Sequence, residues 1–334
     1  MSFQHPKDLI LEAREAVSSA SYSPKKLALL HTGITATASF VVALLTYLLG
    51  TGIGETGGLG GISSRAALET AQSILELAVS MLSPFWAMGF VAAALQMARR
   101  NDATPSTLLQ GFRRWAAVLR LLILQAVMYF GAIIISVQVG SFLYTITPFS
   151  NQLNELVSQL VAAGTTDTEA MMELLMGLDS QVLMQIFWSM APFLFLPALI
   201  VMVLLSYRLR MAQFLLMERP EFGAVFAVVT SFRLTKKNCL RLFMLDLRFW
   251  WFYVLDMVVL VLCYGDLILP LMGVELGMNG VLASFLFYAL ALVCQIVLYM
   301  WQKPQIITSY ALFYDDLLPR QEEAEAEPES ETQV

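Results

Sequence analysis

Apolar positions along this chain gather into six long runs, near Leu27–Leu49, Ser73–Met97, Trp115–Tyr144, Leu183–Tyr207, Phe249–Met272 and Val281–Trp301. Each is long enough for a helix to cross a hydrocarbon core of about 30 Å, which takes about 20 residues. The polar positions between the runs are uneven in charge. Lys7, Arg14, Lys25 and Lys26 precede the first run, and Arg99, Arg100, Arg113 and Arg114 separate the second from the third. Arg208, Arg210, Arg219, Arg233, Lys236, Lys237 and Arg241 separate the fourth from the fifth. The alternate connections hold only Arg65. Loops rich in Lys and Arg stay on the cytoplasmic side. The pattern predicts an all-α polytopic membrane protein with six transmembrane helices and both termini in the cytoplasm.

Shorter amphipathic stretches fill the gaps. Pro6–Ser19 reads as a cytoplasmic helix leading into Ser23-Pro24-Lys25-Lys26 at the membrane surface, and residues 1–26 form an N-terminal segment. Thr104–Arg114 and Pro220–Lys237 read as in-plane elbows. In the second elbow Phe222, Val225, Phe226, Val229 and Phe232 share one helical face. Pro220 suits a first helical turn, where its missing N–H is no loss. Arg233, Lys236 and Lys237 surround that apolar face, a composition suited to an anionic lipid interface. Docking on a cytoplasmic partner is the alternative. The long outer connection predicts two further helices, one with Leu153, Leu156, Val157, Leu160 and Val161 on a face and one over Glu169–Leu178. Gly50–Gly61 is glycine-rich and reads as a flexible turn.

Two portions of the chain resemble each other. Ser80-Met81-Leu82-Ser83-Pro84-Phe85 parallels Ser189-Met190-Ala191-Pro192-Phe193, and each is followed by a basic turn, a proline (Pro105, Pro220) and a short amphipathic stretch. Those stretches end in Gly111-Phe112-Arg113-Arg114 and Ser231-Phe232-Arg233-Leu234. The next runs open with Leu119-Arg120-Leu121-Leu122 and Leu240-Arg241-Leu242-Phe243. Residues 80–145 and 189–272 are therefore expected to be a duplicated hairpin, both copies running in the same direction as in parallel-repeat transporters.

Composition supports the membrane reading: 58% of residues are hydrophobic and 14% charged, and the mean hydropathy is +0.68. The net charge of −6 is matched by Glu322, Glu323, Glu325, Glu327, Glu329 and Glu331, in an acidic tail over 315–334 expected to be disordered. The cations are dispersed along the loops, so a groove for nucleic acid is not expected. Cys239, Cys263 and Cys294 lie in or beside apolar runs and form no disulfide framework by their placement. A cleavable signal peptide is not expected, because the first residues are polar and mixed in charge.

Ionisable side chains at membrane depth are functional candidates by default. Asp256 is the most interior and should face the bundle, as a proton or cation relay or as a hydrogen-bonded structural carboxyl. Asp246 and Arg248 stand near the inner boundary on different helix faces, with Arg120 and Arg241 as candidate partners and snorkelling as the plainer account. Glu76 shares a face with Glu69 and Gln72 toward the outer end of the second run. Pro84, Pro192 and Pro197 are expected to kink their helices. With His5 and His31 the only histidines, neither an HExxH helix nor a His-rich metal site can form. No GxSxG elbow or P-loop appears. Tyr264-Gly265-Asp266 shares its run with Asp256, which does not fit an intramembrane aspartyl protease. No metal, cofactor or catalytic group is assigned, and the chain reads as non-enzymatic. Trp250-Trp251 reads as an interfacial belt.

The stretch from Tyr207-Arg208 to Gly273 resembles an uncharacterised bacterial multi-pass membrane family, a domain of unknown function numbered nine-seven-five. Ser231-Phe232, Leu242-Phe243-Met244-Leu245-Asp246-Leu247-Arg248-Phe249-Trp250-Trp251 and Tyr310-Ala311-Leu312-Phe313-Tyr314 carry the likeness, which is strongest in the C-terminal half. Family members usually have a small residue and Gly-Trp where this chain has Phe249-Trp250-Trp251. The resemblance implies a six-helix protein of the bacterial inner membrane and no activity; the apolar runs themselves place the membrane domain over 27–314. The expected role is assembly with lipid or membrane partners. The alternative is a permease or export-system membrane subunit working with a separate ATPase.

Overall fold

A computed structural model describes residues 5–20, 22–54, 59–151, 158, 180–265 and 280–326. Eleven α-helices follow one another among these residues: α1 (Pro6–Ser19), α2 (Pro24–Gly54), α3 (Leu59–Ala98), α4 (Pro105–Leu108), α5 (Gln110–Arg113), α6 (Trp115–Ile146), α7 (Ser180–Glu218), α8 (Gly223–Thr235), α9 (Cys239–Arg248), α10 (Trp250–Cys263) and α11 (Gly280–Ala326). No strand occurs among them. Four stretches are long and apolar enough to cross a membrane: Ser73–Ala98, Trp115–Ile146, Phe187–Glu218 and Leu282–Leu318. Only 11% and 6% of the most apolar windows of the second and third are buried, so their hydrophobic sides face outward as lipid-facing helices do. The structure thus bears out an all-α chain with several apolar helices of membrane length.

The remaining expected spans take a different form. The first lies within α2. The fifth, expected as one helix over Phe249–Met272, is interrupted at its start: α9 ends at Arg248, Phe249 leaves the helical conformation, and the short apolar helix α10 follows. Before the interruption α9 buries Leu242, Leu245 and Asp246 on one face and carries Arg248 in its last turn. Its continuation Trp250–Cys263 is almost wholly apolar. Most of Gly50–Gly61 is helical too, as the end of α2 and the beginning of α3. Helix α11 runs past Tyr314 to Ala326, so the acidic tail begins as helix. The helices expected around Leu153–Val161 and Glu169–Leu178 fall outside the described residues, apart from Ser158.

By internal contacts the chain divides into two units, Met1–Leu121 with Arg210–Val334, and Leu122–Leu209. In the first unit α2 packs against α3 and α11, α10 lies on α11, and α1 packs against α11, α3 and α9. Helix α1 turns Leu9, Ala13 and Ala16 inward, a stripe at i, i+4 and i+7 that the sequence pattern predicts. The core gathers at the basic helix ends, where Phe90, Met97, Leu108, Leu121, Phe214, Phe313 and Tyr314 are fully buried. The first elbow is two single-turn helices, α4 and α5, opened by Thr104 and Pro105 in a capping box with Thr107. It lies directly on α3: a Cβ on Gly89 would collide with the Leu108 carbonyl, and one on Gly111 with the Phe85 carbonyl. The glycines are what let the elbow backbone touch the helix beside Pro84.

In the second unit α6 and α7 meet at Gly140, where a side chain would strike the Phe193 carbonyl next to Pro192. Tyr144 is buried there, edge-on to Phe193, with its hydroxyl 3.1 Å from the Ser189 hydroxyl. Small residues at the crossing and one interhelical hydrogen bond are how helices associate in lipid.

Candidate functional site

The residues that converge most tightly lie on a short stretch of α11, Tyr310 to Leu317. Tyr310, Phe313, Tyr314 and Leu317 are buried at i, i+3, i+4 and i+7, one face of the helix. This places Asp315 and Asp316 on its flanks, each within reach of an arginine from another element.

Three arginines are fixed there. Arg210 of α7 donates to both oxygens of Asp246 at 2.8 Å, and its guanidinium lies 4.6 Å from the centre of the Tyr310 ring. The Tyr310 hydroxyl donates to the same Asp246 carboxylate and lies 2.9 Å from the Tyr253 hydroxyl of α10. Arg241 of α9 donates to Asp316 at 3.0 Å and stands 5.2 Å from the Phe313 ring centre. Arg99, just past α3, donates to Glu218 at 2.8 Å and to Asp315 at 2.7 and 3.3 Å. Hydrogen bonding to Asp315 raises the Arg99 guanidinium above even its usual basic range. The Tyr314 hydroxyl donates to Glu218, and its ring stacks on Phe214 of α7 at 5.8 Å between centres. Arg114 donates to the Met217 carbonyl in the last turn of α7.

The arrangement is a latch. Carboxylates that would be costly at a membrane boundary are met by guanidinia, Glu218 and Asp315 sharing Arg99, with aromatic faces covering two of the cations. It ties the ends of α3 and α7 and, through Arg241 and Asp246, α9 to about two turns of α11. No group in it is poised as a nucleophile beside a base; every acid described here is already committed to a cation or a hydroxyl.

A second polar line runs deeper, between α2, α10 and α11. On α2, His31, Thr35 and Ser39 recur every fourth residue; on α11, Tyr288, Gln295, Tyr299 and Lys303 lie along one side. Lys303 Nζ lies 3.2 Å from His31 Nε2 and 4.5 Å from the centre of the Tyr299 ring. His31 is buried and stacked on Phe90 at 5.1 Å, and its Nδ1 has no hydrogen-bond partner among the described residues. The Tyr299 hydroxyl bonds to Asp256 and Gln295. Asp256 is half-buried and lines a cleft of about 480 Å³.

The five residues singled out from sequence therefore separate. Asp246 and Arg241 both belong to the latch, but not as a pair. The partner of Asp246 is Arg210, and the expectations of Arg120 or Arg241 as partner and of simple snorkelling are corrected by its burial in that pair. Arg248 stands apart, in a groove of about 460 Å³ with His5, Leu240 and Arg241. Asp256 faces the deeper cleft. Glu76 lies on α3, and its side chain is outside the described residues. Sequence reasoning missed Arg99, Arg210, Glu218, Asp315 and Asp316 as a set. Arg99 and Arg210 look like topology signals, and Asp315 and Asp316 look like the start of an acidic tail. The signal that could have found the latter is the i, i+3, i+4, i+7 spacing of Tyr310, Phe313, Tyr314 and Leu317, which carries the buried face of α11 past them.

Neither a curated protein nor a solved structure matches the chain. The family model described as Protein of unknown function (DUF975) matches residues 25–321, taking in both the latch and the deeper polar line, and the chain belongs to that family.

Proposed function

We propose that this chain is a non-enzymatic multi-pass protein of the bacterial inner membrane that assembles with anionic lipid through a basic cytoplasmic face. The reading includes six spans, both termini in the cytoplasm, and α8 lying in the plane of the inner leaflet. The observation that supports it is the surface of α8. Its small side, Ala224, Ala227, Val228 and Ser231, is buried against the protein, while Phe222, Val225, Phe226 and Val229 are exposed. Phe222 and Phe226 pair at 4.7 Å between ring centres. Arg233, Lys236 and Lys237 are exposed at the end of the same helix. An outward apolar face ringed by cations gains from acyl chains and from anionic headgroups together. The two elbows, each opened by a proline after a long proline-containing helix, support the reading of a duplicated hairpin.

The test is native mass spectrometry of the protein purified from its membranes, with the variant Phe222→Asp/Phe226→Asp beside it. Retention of anionic phospholipid by the unaltered chain and its loss in the variant is the expected result. Equal retention in both would sink the role of α8. A co-purifying ATPase would move the reading to a permease subunit. Reporter fusions at Arg100 and Lys236 should report cytoplasm and one at Thr165 the outside; the reverse at any of them overturns the topology.

A further inference from the structure

We propose that the cleft beside Asp256 is a binding site for an organic monocation, an ammonium or phosphonium with apolar substituents. The proposal stands apart from the lipid-facing surface of α8 and goes beyond it. The cleft opens between α2, α10 and α11 and holds about 480 Å³, within the range of small-molecule sites. Its polar lining is short: Asp256 and Tyr253 from α10, Tyr288 and Gln295 from α11, Thr35 and Ser39 from α2, the rest being apolar. One acid, two phenol rings and aliphatic walls favour a large, weakly hydrated cation over a small, strongly hydrated one.

The charges around the acid decide its role. Among the described residues no cation lines the cleft. Lys303, the basic residue next along α11, is held by His31 and lies against the Tyr299 ring. Tyr299 in turn reaches Asp256. Asp256 thus lines the cleft with the Tyr299 hydroxyl beside it and the Lys303 charge acting on it through space. Asp246 shows what the same fold does with a structural acid: it closes a guanidinium and a tyrosine directly onto it. Among the described residues no guanidinium is closed onto Asp256, and the acid lines the cleft instead.

Equilibrium dialysis of the full-length protein in phosphatidylcholine nanodiscs tests this, with tetraphenylphosphonium as the cation and tetraphenylborate as an anion of the same shape. Saturable binding of the phosphonium is expected, weakened at least about tenfold in Asp256→Asn, equivalent to about 1.4 kcal/mol, and kept in Asp256→Glu. Ser39→Phe, which fills the cleft and leaves the acid in place, should also abolish it. Unchanged affinity in Asp256→Asn would overturn the site, as would equally tight binding of tetraphenylborate. If Asp256→Asn is not monodisperse, Ser39→Phe decides: full binding in that variant refutes the assignment.

Discussion

Replacing Asp246 with alanine should be among the most damaging single changes in this protein, and the geometry says by how much. The carboxylate accepts two bonds from Arg210 at 2.8 Å and one from Tyr310, with the two side chains of the ion pair only 23% and 11% exposed. Asp246→Ala leaves the guanidinium over the Tyr310 ring without a counter-charge and orphans the tyrosine hydroxyl. Breaking a buried pair in this one-sided way costs about 3–5 kcal/mol. At about 2 °C per kcal/mol for a chain of this size, the melting temperature should fall by about 6–10 °C. Removing both charges with Asp246→Leu/Arg210→Met should cost less than Asp246→Ala alone, because no uncompensated ion remains. Thermal melts of the detergent-purified proteins, followed by size-exclusion fluorescence and including the singles Asp246→Leu and Arg210→Met, complete a double-mutant cycle. An Asp246→Ala protein that melts with the parent, or a double variant whose loss equals the sum of the singles, would refute the reasoning.

Other changes test the elbow packing and the rest of the latch. Gly89→Ala and Gly111→Ala push a Cβ into backbone carbonyls and should each cost about 1–3 kcal/mol, read as a lower melting temperature, whereas Gly131→Ala meets nothing within 4 Å and should be neutral or better. Tyr314→Phe loses the bond to Glu218 while keeping the stack on Phe214, so a loss of about 1 kcal/mol is expected, and a null result would mean Glu218 is satisfied by Arg99 alone. Asp315→Asn should cost about 1 kcal/mol or less, fading in high salt, since the Arg99 side chain is 37% exposed; a large, salt-independent loss would show the pair to be more buried than it is here.

Periodicity made the helices legible and charge made the loops legible, but neither could reveal which charges meet. The helix over Pro6–Ser19 and the proline-opened elbows read directly, because amphipathic spacing and proline act locally. The face of α8 was legible as well, though the side packed on the protein is the small-residue side and the aromatic side is outward. A soluble-protein reading would have reversed the two. Asp246 was visible as an ionisable residue near an apolar run. Its partner Arg210 was not, since it sits on another helix among basic residues that look like orientation signals. The break at Phe249 was hidden because no Gly or Pro marks it. It falls where α9 buries Leu242, Leu245 and Asp246 while α10 continues as a helix apolar but for Asp256.

The contrast between Asp246 and Asp256 is the feature with the most bearing on function. Both acids belong to the stretch that leads into and along α10, and both reach a tyrosine on α11. At Asp246 the fold supplies a guanidinium in direct contact, and the two tyrosine hydroxyls around it form a closed chain to Tyr253. At Asp256 the nearest described cation, Lys303, attracts the carboxylate through space while its ammonium lies against His31 and the Tyr299 ring, and the acid lines open volume. An acid kept only for structure gains from the first arrangement and loses from the second, because an ionised group at membrane depth is costly unless its charge is matched. Lys303 is close at hand, and a direct pair with Asp256 would have needed no extra residue. Lys303 acts on Asp256 only through space while its ammonium is held by a histidine and a ring, and that leaves Asp256, rather than Asp246, as the acid on which the proposed cation site is built.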